Sequence, residues 1–161
     1  MPMKTFLPFL SLIALAAALF AAGSAQSDDK LDAKQLRTMI EGLGYEIKVL
    51  NAEAGKEKYE FVVKRGGLDI PIAAEVSASK NYVWLTVFLG EAPKDDAPST
   101  KFSQYLKKNF QTQPCHFYVT SRGSLMLGIP MDNRAITAPW LRKCVDKIAE
   151  DTDSTRDLWE K

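Results

Sequence analysis

Histidine is nearly absent from this 161-residue chain, and His116 is the only one. That removes most metal and triad chemistry at once, since zinc sites draw on several His, Cys or carboxylate ligands and a serine nucleophile needs a histidine base. Cys115 is its neighbour on a stretch that reads as a strand, so the two side chains point to opposite faces. No G-x-S-x-G elbow occurs. The paired carboxylates Asp28-Asp29 and Asp95-Asp96 fall in what reads as tail and loop, where the sequence implies neither the burial nor the close partner that acid–base work needs. The chain therefore reads as a non-enzyme with no catalytic, cofactor or metal residues, and His116 as a surface or interface residue.

An excess of one charge is lacking too. Twenty-one Lys and Arg against 20 Asp and Glu leave a formal charge of +1, without the basic surface that nucleic-acid binding needs to replace counterions. No solenoid-like repeat appears either, so one ordinary domain is expected.

What is present begins with an address. Lys4 precedes an apolar run from Phe6 to Ala22, followed by Gly23-Ser24-Ala25 and then by Gln26-Ser27-Asp28-Asp29. This is the charged, apolar and small-residue order of a secretory signal, predicting cleavage after Ala25. Pro8 weighs against a spanning helix, and no cysteine at the boundary offers a site for a lipid. Residues 1–25 are thus expected to be a signal peptide, 26–30 a flexible mature N-terminus and 31–161 a single domain, periplasmic or extracellular. Membrane contact is expected only if the apolar segment is retained. In an oxidising compartment Cys115 and Cys144, the only two cysteines, are either a disulfide worth roughly 3 to 4 kcal/mol or two buried free thiols in one core, and both readings stay open.

The spacing of Leu36, Met39, Ile40 and Leu43 after Asp32 predicts a capped amphipathic helix stopped at Gly44. YEIKVL and YEFVVKR then read as a hairpin, LDIPIAAEV as an edge strand because of Pro71, and YVWLTVFL as the strongest strand. A helix from Ser99 or Thr100 is expected to bury Phe102, Tyr105, Leu106 and Phe110. PCHFYVT and SLMLGIPM form a second hairpin around Ser121-Arg122-Gly123. Gly123 there turns the chain and cradles no phosphate, because a strand follows it, where a phosphate loop would lead into a helix. Thr137 and Pro139 open a last helix whose stripe runs Leu141, Cys144, Val145, Ile148, Thr152, Thr155 and Trp159. The order is helix, four strands, helix, two strands, helix: an α+β fold with helices packed against an antiparallel sheet.

One feature departs from simple alternation. Val83, Leu85, Val87 and Leu89 fill one face of the strongest strand, yet Tyr82, Trp84 and Phe88 occupy the other with only Thr86 among them. In the last hairpin His116, Tyr118 and Met126 likewise alternate with apolar residues. A second, aromatic face of this kind is either a protein-binding surface or is covered by another segment of the chain.

YEIKVL, YEFVVKR, FYVTSRGSLMLGIPM and APWLRKCVDKIAEDTDSTRDLW, in that order, resemble the YbjN-type sensory transduction regulators, whose domains look like the type III secretion chaperone fold. The resemblance spans about Leu31 to Trp159 and implies a non-enzymatic, often dimeric domain that binds a protein or peptide. Arg122 before the turn glycine departs from the acidic residue common in the family, and so does the export signal. The reading is an exported, regulatory or chaperone-like domain that binds a protein, a peptide or a second copy of itself. The alternative is a periplasmic sensor or carrier with an apolar small-ligand pocket between helices and sheet.

Overall fold

Asp32 starts the first helix, α1 (Ala33–Gly42), through a reciprocal pair of hydrogen bonds: the Gln35 N–H donates to its carboxylate at 2.7 Å, and its own N–H donates to Gln35 Oε1 at 2.8 Å. Leu36 and Ile40, one turn apart, are wholly buried. The computed structural model describes residues 30–94, 99–134 and 136–160. The expected signal peptide therefore lies outside the described residues, as does the Asp95-Asp96 pair.

The strands β1 (Lys48–Asn51), β2 (Lys58–Arg65), β3 (Leu68–Val76) and β4 (Tyr82–Glu91) follow α1. Helix α2 (Ser99–Thr112), strands β5 (His116–Val119) and β6 (Ser124–Asp132), helix α3 (Ala138–Ser154) and a single turn α4 (Arg156–Trp159) complete the chain. All neighbours pair antiparallel in the order β1-β2-β3-β4-β6-β5, so the fold is the expected α+β arrangement with a fourth, short helix.

Period two sends Phe61, Ile72, Ala74, Val83, Leu85, Leu127 and Ile129 to one side of the sheet, where Leu36 and Ile40 of α1 and Leu141, Val145 and Ile148 of α3 meet them. Each fully buried Val, Leu, Ile or Phe there contributes about 1.5–3 kcal/mol of hydrophobic burial. One face of the sheet thus supplies a complete core, and the other face is left over.

Four local expectations differ from what is observed. Strand β3 is interior, although Pro71 was expected to mark an edge; the β3–β4 ladder runs only over Ala73–Val76, so the proline lies where the ladder has ended. Strand β1 is shorter than YEIKVL because Tyr45 is committed elsewhere: its ring stacks at 4.8 Å from Phe61 and lies under the Arg142 guanidinium at 4.9 Å. Of the residues expected to be buried on α2, only Tyr105 is; Leu106 and Phe110 are 70% and 81% exposed. The inward stripe is Tyr105, Asn109 and Thr112, with the Tyr105 hydroxyl donating to the Leu158 carbonyl at 2.8 Å. The last helix, finally, breaks at Thr155, whose hydroxyl donates back to the Asp151 carbonyl at 2.7 Å; Thr155 stays buried in the expected stripe, and Trp159, packed against the core, belongs to α4.

Gly123 answers to its turn. It has φ +77°, its N–H donates to the Thr120 carbonyl at 2.9 Å, and a Cβ there would meet nothing, so the backbone alone demands glycine. Asn133 is a clamp that the sequence did not announce: wholly buried, it donates to the Leu31 and Lys80 carbonyls at 2.9 and 3.1 Å and accepts from the Leu31 N–H at 3.0 Å.

Candidate functional site

Because Val83, Leu85, Val87 and Leu89 face the helices, Tyr82, Trp84, Thr86 and Phe88 must face away from them. Register then decides which side chains meet across that outer face. Trp84 lies opposite Glu75 and Pro130, Thr86 opposite Gly128 and through it His116, and Phe88 opposite Met126 and through it Tyr118. All six candidate face residues, Tyr82, Trp84, Phe88, His116, Tyr118 and Met126, therefore share one surface. Tyr82 and Phe88 are 47% and 59% exposed, while the other four are half-buried.

Three of the six converge. The Trp84 and His116 ring centroids are 5.9 Å apart, edge to face at 73°, and those of His116 and Tyr118 are 5.7 Å apart. Strand β6 runs between β4 and β5, and convergence across it depends on Gly128. A Cβ at that position would lie 2.9 Å from Tyr118 Cε1, so the tyrosine ring occupies the room that glycine leaves. Glu75, Trp84, Thr86, His116 and Tyr118 together line an open cavity of about 270 Å³. Tyr82 stands outside this cleft, paired with Asp132, and Phe88 and Met126 flank it.

The polar groups of the cleft favour binding. Thr86 is only 4% exposed, and its hydroxyl makes no hydrogen bond among the described residues. Glu75 Oε1 is paired with Lys58 Nζ at 3.3 Å, on side chains about one-third exposed. Burial first, and then the Glu75 carboxylate, raise the Tyr118 pKa, which keeps its hydroxyl protonated. The sequence marks Thr86 only as the polar exception on its strand face and does not single out Glu75 or Gly128 at all; nothing short of the strand register brings those two to the aromatic residues.

Other surfaces compare poorly. A recess of about 560 Å³ beside α4 is lined by Asp153, Ser154, Arg156, Asp157 and Glu160, but Arg156 is already paired with Asp153 at 3.3 Å and with Glu160 at 3.6 Å. The free edge of β5 is blocked: Asn109 accepts from the Phe117 N–H at 2.6 Å and donates to its carbonyl at 3.4 Å, as a neighbouring strand would. The layer between helices and sheet, where a small-ligand pocket was expected under the alternative reading, is packed with wholly buried side chains such as Leu36, Ile72, Leu85 and Leu141.

The two cysteines are free, buried thiols of one core cluster. Burial, the adjacent Asp151 carboxylate and the nearby Cys144 push the Cys115 thiol far up, and burial brings Cys144 to about 11. The Asp151 carboxylate, 5% exposed, accepts from Lys147 Nζ at 2.6 and 2.7 Å. Among the described residues, no three His, Cys, Asp or Glu side chains are grouped so as to hold a metal ion, and no helix is long and apolar enough to cross a membrane.

No protein-family model matches the chain, and neither does any curated protein. Solved structures do. The fold is similar to a chain of the HopA1–SchA chaperone–effector complex, with a TM-score of 0.50 and 10% identity over 74% of this chain and 88% of that one. It is also similar to a chain of the heterodimeric ExoU–SpcU complex from the type III secretion system of Pseudomonas aeruginosa, with a TM-score of 0.54 and 17% identity over 76% of this chain and 96% of that one. At such identities the likeness is one of fold.

Proposed function

We propose that this chain is an exported, non-enzymatic binding domain, chaperone-like in architecture, that recognises a protein or peptide on the outer face of its sheet. A single observation carries the reading: the helices fill one face of the sheet completely, while the other presents Tyr82, Trp84, Phe88, His116, Tyr118 and Met126 at its surface. Rigid aromatic residues around a half-buried cleft are the anchors that protein interfaces use. The similar chains belong to complexes described as chaperone–effector and heterodimeric, which supports a protein as the occupant. Export rests on the apolar run from Phe6 to Ala22 and the small residues after it. The YbjN-type resemblance adds a regulatory role to the same reading.

Site-specific photo-cross-linking tests the face. A photoreactive phenylalanine at Phe88 is expected to form one discrete adduct in cells, either a second copy or another protein, and Trp84→Ala in the same chain is expected to abolish it. The competing surface is α2, where Phe110 is the most exposed aromatic residue. Adducts that form from position 110 and not from 88 would move the binding surface to α2 and end this proposal.

A further inference from the structure

The outer cleft has a chemistry more specific than an aromatic patch. Its volume, about 270 Å³, falls just below the roughly 300–1,000 Å³ of ordinary small-molecule pockets, and so suits one long side chain of a larger partner. Its walls are the Trp84, His116 and Tyr118 rings, and tryptophan and tyrosine faces attract cations that approach within about 6 Å. The groups beside them are acceptors. Glu75 commits one carboxylate oxygen to Lys58, the Thr86 hydroxyl is buried and has no partner among the described residues, and the Tyr118 oxygen retains lone pairs. A buried hydroxyl without a partner is a standing cost that an incoming donor removes.

We infer that the cleft receives an arginine side chain from the bound protein or peptide, an inference that rests on the outer face being a protein-binding surface. Guanidinium fits this lining better than ammonium does. It is planar, stacks on aromatic faces, is weakly hydrated, and carries five donors to serve a carboxylate and a hydroxyl together. Lys58, paired with Glu75, is an opposing charge beside the cleft. Its pairing with Glu75 is partly solvated and therefore weak, so an arriving guanidinium shares the carboxylate or displaces the lysine. Gly128 sets the width of the cleft by admitting the Tyr118 ring over β6.

The test uses the whole mature chain and four capped pentapeptides identical except for a central arginine, lysine, citrulline or norleucine, titrated while the Trp84 indole N–H is followed by NMR. The arginine peptide is expected to move that signal and to bind about tenfold or more tightly than the citrulline peptide, which keeps shape and loses charge. Glu75→Gln is expected to erase the preference, Lys58→Met to strengthen it, and Gly128→Ala to weaken the arginine peptide by displacing Tyr118. Equal binding of all four peptides at Trp84 overturns the arginine site and leaves a peptide-binding face. Binding of none, with the Phe88 adduct still formed in cells, also overturns it and leaves that face intact. Loss of both signals sinks the two proposals together.

Discussion

Replacing Trp84 with alanine separates a binding face from a hidden core, because the two give different magnitudes. Truncating a fully buried aromatic costs about 3–5 kcal/mol, and Phe61, 1% exposed beneath α1 and α3, supplies that control. Trp84 is only half-buried and packs edge to face against His116 at 5.9 Å. An aromatic pair of that kind is worth about 0.5–1.5 kcal/mol, so with partial burial Trp84→Ala is expected to lower unfolding stability by only about 1–2 kcal/mol. Binding should suffer more. A hot-spot tryptophan at the centre of an interface costs at least about 2 kcal/mol, a loss of roughly thirtyfold in affinity. Urea unfolding gives the first quantity from the midpoint shift at constant slope, and titration of the cross-linked partner, or sedimentation if the partner is a second copy, gives the second. A stability loss equal to that of Phe61→Ala, with association unchanged, would refute the assignment of the outer face.

Other substitutions read single features of the fold. Asn133→Ala leaves the Leu31 N–H and two carbonyls without their partner and is expected to cost about 2–4 kcal/mol in urea unfolding; a loss under about 0.5 kcal/mol would show that water replaces the clamp. Phe110→Ser, at a position 81% exposed, should change stability by no more than about 0.5 kcal/mol, and a larger loss would mean that α2 is covered. Cys115 and Cys144 should resist alkylation at pH 8 while the chain is folded and react at ordinary rates in denaturant; fast labelling of the folded protein would contradict their burial and raised pKa values. Burial raises the Asp151 pKa against the opposing pull of Lys147 and Cys115, so the folded state holds that proton to higher pH than the unfolded chain does. The stability this proton confers is full below the unfolded carboxylate value and is lost as pH rises through the folded one, so wild-type stability minus that of Asp151→Asn should fall with pH across that window. A difference that rises with pH would reverse the assignment.

The order of elements was legible because each carried its own period. Asp32 with Leu36 and Ile40 marks α1, and the alternation through Tyr59, Phe61 and Val63 marks β2. Tertiary commitments were what period could not show. On α2, Phe102, Leu106 and Phe110 form a plausible apolar stripe, yet Asn109 sits at the contact because it bonds the Phe117 backbone at the β5 edge, and a hydrogen-bonding duty leaves no hydrophobic trace. Pro71 misled for the opposite reason: a strand that is interior at Ala73–Val76 can still present an unpaired stretch a few residues earlier.

The outer face divides the same way. That Tyr82, Trp84 and Phe88 share a side follows from period two within one strand, and the sequence shows it directly. That Trp84 meets His116 follows from no local rule, because it depends on β6 entering the sheet between β4 and β5 although β5 precedes it in the chain. This insertion brings Gly128 between Thr86 and His116, and the missing side chain is what lets rings from two non-adjacent strands close on one space. With a side chain at residue 128 the same six residues would still form an aromatic face, but Tyr118 would be pushed aside and the cleft beside Glu75 and Thr86 would lose its wall. The patch is thus a property of alternation, and the site within it is a property of topology, which is why a surface could be read from the residues while its recognition chemistry could not.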